Sequence, residues 1–170
     1  MRRLLAPLAL ALLLALAGCN VSTEDGRTGE NVSVTVTNQA ETRYDVRVTL
    51  ATEPFDAVEI TYQNGSTRRL DVTSLDGVPP GRFDDATDFT VEAGFVQTRR
   101  YTLTPGSGTG ATYTDVPPNT TVVHFLRPRG ADTIGTVGIS KCGGSPGLTE
   151  LTIDILPNRT YSVTNACRGA

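Results

Sequence analysis

The 170 residues carry 15 basic and 18 acidic side chains, a formal charge of −3, with three cysteines, one histidine and no tryptophan. No basic stripe with interleaved aromatics occurs, which argues against nucleic acid as a partner. The body is long enough for one domain with a real core, and its wealth of stiff, β-branched threonine favours strands over helices.

The chain opens with Arg2 and Arg3 and an apolar run from Leu4 that stops at Leu16-Ala17-Gly18-Cys19. A run of about 14 residues is too short for the roughly 20 that a spanning helix needs, and it has the charged start, apolar middle and small-residue end of a secretory signal. Leu16 to Cys19 resembles the lipobox of prokaryotic membrane lipoproteins. That resemblance implies a signal peptide over 1–18, acylation of the Cys19 thiol with a diacylglyceryl group and cleavage just before it. It places the protein on the extracytoplasmic face of the membrane. An ordinary secretory signal that happens to end in cysteine is the alternative. Arg2-Arg3 fits either the general secretory or the twin-arginine route. Loss of the leader leaves 13 basic against 18 acidic residues, a mature charge of −5. One lysine (Lys141) against 14 arginines, abundant threonine and an acidic balance resemble surface proteins of halophilic archaea.

Residues 19–30 read as a lipidated cysteine and a flexible tether, since Asn20 to Glu30 holds one apolar residue. Its extended length is at most about 35 to 40 Å. Residues 31–170 are expected to form a single domain. Val32, Val34 and Val36 alternate with polar residues, as do Tyr44, Val46, Val48 and Leu50, the period of half-buried strands. Next come Val58, Ile60 and Tyr62, then Gln63-Asn64-Gly65, then Leu70 and Val72. A two-residue turn would set Val58 opposite Asp71. A three-residue loop with left-handed Gly65 sets Val58 opposite Leu70 and Glu59 opposite Arg69, which matches hydrophobic and charged partners. Ser74 to Asp88, rich in Pro, Gly and Asp, reads as a loop. Further strands are expected around 89–93, 95–104, 111–116, 121–127, 133–140, 148–156 and 160–165. This pattern predicts an all-β protein, a two-layer immunoglobulin-like sandwich of about 8–10 strands.

Asp115 to Val122 and Asp154 to Tyr161 echo one another as strand, Pro-Asn turn, strand, with Pro presetting the second turn position and Asn tolerating the third. The turn is similar to one common in fibronectin type III and transthyretin-like sandwich modules. The resemblance supports the fold and implies no activity.

Chemistry is sparse. Gly143-Gly144-Ser145-Pro146-Gly147 fits G-x-S-x-G, but a nucleophile elbow needs a following helix and a later histidine, whereas a strand follows here and His124 comes earlier. His124 sits in an apolar run without a second histidine, so a metal site is not expected and a blue-copper site is excluded. Asp76, Asp84, Asp85 and Asp88 could offer oxygens to Ca²⁺ but lack the EF-hand spacing and read as a solvated loop. Gly106 to Gly110 lacks the lysine and helix of a phosphate cradle. Five of seven asparagines (Asn20, Asn31, Asn64, Asn119 and Asn158) head Asn-x-Ser/Thr sequons. They are candidate glycosylation acceptors, or the product of a Thr-rich strand protein placing Asn before Thr at turns. Cys142 and Cys167 remain after acylation of Cys19, and an even pair outside the cell oxidises to a disulfide.

The expectation is therefore a lipid-anchored binding or structural module, without catalysis, cofactor or metal, that meets a surface protein or glycan. The alternatives are an accessory subunit of a transport or secretion complex, or a hydrolase or metal-dependent enzyme using Ser145, His124 or the aspartates.

Overall fold

A computed structural model describes residues 29–79, 81–143 and 147–168, so Cys19, Asn20 and Ser145 lie outside the described residues. The alternating stretches all form strands: β1 (Glu30–Asn38), β2 (Tyr44–Thr52), β3 (Ala57–Tyr62), β4 (Thr67–Leu70), β5 (Ala86–Glu92), β6 (Val96–Leu103), β7 (Gly108–Val116), β8 (Thr120–Pro128), β9 (Thr136–Ser140), β10 (Leu148–Ile155) and β11 (Tyr161–Cys167).

Two four-stranded sheets make the expected sandwich, in the orders β11-β10-β1-β7 and β6-β2-β8-β9. Val32, Val34 and Val36 of β1 and Leu151, Ile153 and Ile155 of β10 meet Val46, Val48, Leu50, Val122 and Leu126 of the second sheet in the main core. The period-two pattern turns each of these strands' apolar sets to one face. β1 and β10 run parallel, with Val34 opposite Leu151, whereas the other strand pairs are antiparallel.

A third sheet, β4-β3-β5, lies against the outer face of the β6-β2-β8-β9 sheet. Val58, Ile60, Phe89 and Val91 pack there on Ala51, Val123 and Phe125 in a second core. The central sheet is consequently apolar on both faces over β8, where Thr120 to Leu126 are all buried.

The hairpin takes the three-residue loop. Val58 is opposite Leu70 and Glu59 opposite Arg69, the Tyr62 amide donates to the Ser66 carbonyl at 2.9 Å, and Gly65 has φ +78°. Nothing lies within 4 Å of where a Gly65 side chain would project, so a substitution there is opposed by the backbone alone. Gly65→Val should cost about 1 to 2 kcal/mol in urea unfolding, and Gly65→Asn clearly less, because Asn tolerates the left-handed region. Equal losses would show that something other than φ holds this turn. The Glu59–Arg69 charge pair does not form as expected: Arg69 reaches across β3 to Glu92 of β5, with Asp71 also 3.4 Å away.

Boundaries differ from the sequence reading at several places, among them β7, which starts at Gly108 rather than near 111. The Ser74–Asp88 loop contains a short 3-10 helix, Leu75–Gly77, and stops at Asp85, because Ala86 is buried and its carbonyl accepts from the Ile134 amide at 2.7 Å. That bond draws Ile134 out of the ladder, and β9 starts at Thr136 rather than near 133. β1 begins at Glu30, inside the expected tether, where Glu30 is ion-paired to Arg168 at 2.9 Å. The two echoed turns also diverge: the left-handed residue is Asn119 in one and Arg159, not Asn158, in the other.

Cys142, just past β9, is disulfide-bonded to Cys167 at the end of β11, with Cα atoms 5.9 Å apart. The bond ties the edge of one sandwich sheet to the edge of the other. Protein purified without reductant and then denatured should show neither of these two thiols to a thiol reagent, and both after reduction. Two reactive thiols before reduction would show that the bridge does not form.

Candidate functional site

Among the described residues, the side chains with catalytic potential do not converge. His124 lies on the inward face of β8, opposite Gly138 of β9, and is 1% exposed. Neither ring nitrogen has a hydrogen-bond partner, and the nearest aromatic neighbour is Tyr161, with ring centroids 6.1 Å apart. A Cβ at Gly138 would clash with His124 Nε2, so the glycine makes the room that the histidine fills. Burial pushes the imidazole pKa down to about 4. The four aspartates are dispersed: Asp76 accepts from Lys141 Nζ at 2.6 Å, Asp88 pairs with Arg47, and Asp84 and Asp85 sit exposed before β5. No group of three or more His, Cys, Asp or Glu residues placed to hold a metal occurs among the described residues. Gly108 and Gly110 belong to β7, where a Cβ would meet Thr37 Cγ2 at 3.1 Å and the Val34 carbonyl at 3.2 Å; they let β7 approach β1. The sequon residues Asn31, Asn64, Asn119 and Asn158 are all exposed. Asn64 accepts from the Ser66 amide at 2.9 Å, and Asn158 from the Thr160 amide at 3.2 Å.

Two clefts remain. At the end of the sandwich where β1 begins, a polar hollow of about 520 Å³ is lined by Glu53, Asn119, Thr121 and Lys141. Thr121 donates to Glu53 Oε1 at 2.9 Å, and Lys141 lies 3.8 Å from the same oxygen. Its polar groups largely satisfy one another.

The second cleft is built around Arg47. Arg47 stands at a polar position of β2, between Val46 and Val48, and so points to the outer face of the central sheet. The third sheet covers that face, leaving Arg47 3% exposed. Its guanidinium carbon lies 4.3 Å from the Phe125 ring centroid and 5.0 Å from that of Phe89. Such placement over two rings favours a cation. Asp88 supplies the counter-charge, yet Nε and Nη2 find no partner. Burial lowers the pKa of Arg47; Asp88 opposes this, and the like charges of Arg100 and Arg127 add to it. Beside it, Arg100 Nη2 is 3.9 Å from Asp88 and Arg127 Nη2 3.6 Å from Asp45. The hollow over these residues measures about 230 Å³. A second hollow of about 210 Å³ continues from Arg47 and Arg100 along Thr98 and Val96.

Sequence reasoning passed over Arg47, since alternation assigns it to solvent. The available signal was Val122-Val123-His124-Phe125-Leu126 in the neighbouring strand, because an uninterrupted apolar run marks a strand covered on both faces.

The fold is thus that of an immunoglobulin-like sandwich carrying clefts on its outer surface. The whole chain, residues 1–170, matches the family described as halobacterial Ig domain protein, and it belongs to that family. Among solved structures it is similar to the T6SS lipoprotein TssJ1 from Pseudomonas aeruginosa, at 14% identity over 81% of this chain and 97% of that chain, with a TM-score of 0.42. Comparison with curated proteins gives no match.

Proposed function

We propose that this chain is a lipid-anchored surface protein whose immunoglobulin-like body acts as a binding or structural module without catalysis. The observation that carries this reading is the cysteine closing the leader at Leu16-Ala17-Gly18-Cys19, followed at once by a polar tract and then by a rigid sandwich from Glu30. No helix among the described residues is long and apolar enough to cross a membrane, and in this reading the Cys19 thioether is the point of attachment. One acyl chain anchors a protein only marginally, at about 0.8 kcal/mol per buried methylene, while the two chains of a diacylglyceryl group anchor it stably. The burial of His124 away from the aspartates, of which Asp76 and Asp88 are engaged by Lys141 and Arg47 and Asp84 and Asp85 lie exposed, supports a role through surfaces rather than through a reacting centre.

Cys19→Ser should move the protein from the carbonate-washed membrane pellet to the soluble fraction. Retention of the variant in that pellet would mean that another device holds the protein, and the anchor would be wrong.

A further inference from the structure

The hollows above Arg47 form one groove with unlike walls. One wall is β5, which is paired to β3 and to no second strand among the described residues, apart from the Ile134 amide on the Ala86 carbonyl at its start. The other wall is the outer face of β6, where Val96, Thr98, Arg100 and Thr102 are exposed and the third sheet does not reach. Four alternate positions of a strand span about 20 Å, the length of about six or seven extended residues.

The charges of this groove do not balance. Arg47, Arg100 and Arg127 line it against Asp45 and Asp88 alone. Arg47 and Arg100 are cross-strand partners and share the single carboxylate of Asp88. Like charges set opposite one another on neighbouring strands repel. Asp45 is already engaged by Arg127 and by the Thr102 hydroxyl, which donates to it at 2.9 Å. Arg100 keeps 73% of its side chain exposed. One carboxylate is lacking, on a chain whose net charge is negative.

We propose that this groove receives an extended, acidic segment of a partner protein, which adds as a strand to the open edge of β5 and sets a carboxylate against Arg100. Main-chain hydrogen bonds from β5 would supply affinity, and the carboxylate its selectivity, as in other cases of strand addition. An open edge beside a groove is otherwise a liability, because its unpaired backbone groups invite any strand. Arg47 and Arg100 restrict that invitation to segments of opposite charge. The inference deepens the binding-module reading and does not depend on the lipid.

The test is selection of a random ten-residue displayed peptide library on the immobilised full chain, repeated with Arg100→Gln and Arg100→Glu. Selected peptides should carry Asp or Glu at alternate positions and bind Arg100→Gln at least tenfold more weakly. Arg100→Glu should select basic peptides instead. Because Arg100 is exposed, both variants should fold, and circular dichroism checks that they do. Bound acidic peptide should protect from deuterium exchange those amides of β5 that point away from β3. An empty selection, winners without acidic preference, binding unchanged by Arg100→Gln, or protection away from β5 would each overturn the proposal. A dimer broken by Arg100→Gln would make a second copy the occupant and overturn it as stated. Binding is read whether or not Cys19 carries lipid, so failure here and failure of the anchor are separate results.

Discussion

Asp88→Ala is expected to lower the unfolding free energy by about 3 kcal/mol, whereas Arg47→Met should change it by less than about 1 kcal/mol. The asymmetry follows from where each charge sits. The Arg47 side chain is 4% exposed and that of Asp88 42%. Removing Asp88 strands a buried guanidinium between Phe89 and Phe125 with its counter-ion gone and Arg100 still beside it. Removing one partner of a buried pair costs about 3 to 5 kcal/mol, and Asp88's own access to water places this case at the lower end. Removing the guanidinium instead leaves Asp88 free to hydrate. Methionine keeps the apolar stem as far as the position of Nε and eliminates the guanidinium, including Nε and Nη2, which have no partner. The lost cation–π contact, about 0.5 to 2 kcal/mol, is then offset by the relief of two buried unsatisfied donors. Urea unfolding of the two variants at one pH decides it. Equal losses, or a larger loss for Arg47→Met, would show that the third sheet is held down by the ion itself and not by the apolar contacts around it.

What could be read beforehand, and what could not, divides along physical lines. The β3–β4 register was legible because a one-residue slip would have turned Val58 toward Asp71, and only one loop length avoids that. The strands of the main core were legible for the same reason: Val32, Val34 and Val36, or Val46, Val48 and Leu50, leave no doubt about which face is dry. Their neighbours were not. Alternation is identical in parallel and antiparallel pairs, so nothing in β1 or β10 announces that Val34 lies beside Leu151 in the same direction. The third sheet was hidden because the cover it gives the central sheet is tertiary: Arg47 of β2 has a polar residue's place in the alternation but a core residue's burial. Gly, Pro and Asp between Ser74 and Asp85 carried the loop reading three residues too far, since a buried Ala86 has no pattern of its own. Of the candidate site, the disulfide partners could be named from the cysteine count, while the groove joins strands far apart in the chain and has no local signature.

Acidification should destabilise the protein through His124, and His124→Leu should remove that part of the loss. Above pH 6.5 the imidazole is neutral in both the folded and the unfolded chain and contributes no pH dependence. Below it the unfolded chain takes up a proton, whereas the folded chain does not until about pH 4, since burial disfavours the charged ring. The unfolded state therefore binds more protons across this window, and stability falls as pH falls. Each unit of difference is worth 1.36 kcal/mol, so the loss reaches about 3 kcal/mol by pH 4 and levels off below it. The geometry gives the protonated ring no relief: neither nitrogen has a partner, Gly138 opposite it offers no side chain, and Tyr161 closes the edge of the sandwich beside it. Leucine is close to the same volume and has nothing to desolvate, so at pH 7.5 the variant should be at least as stable as wild type. Urea unfolding of both proteins at pH 7.5, 6, 5 and 4 isolates the effect, because carboxylate titrations common to both cancel in the difference. The gap should widen in favour of His124→Leu by about 3 kcal/mol between pH 7.5 and pH 4. A gap that stays constant across that range would mean that the folded protein accommodates the imidazolium, by opening the β9 and β11 edges to water around Tyr161.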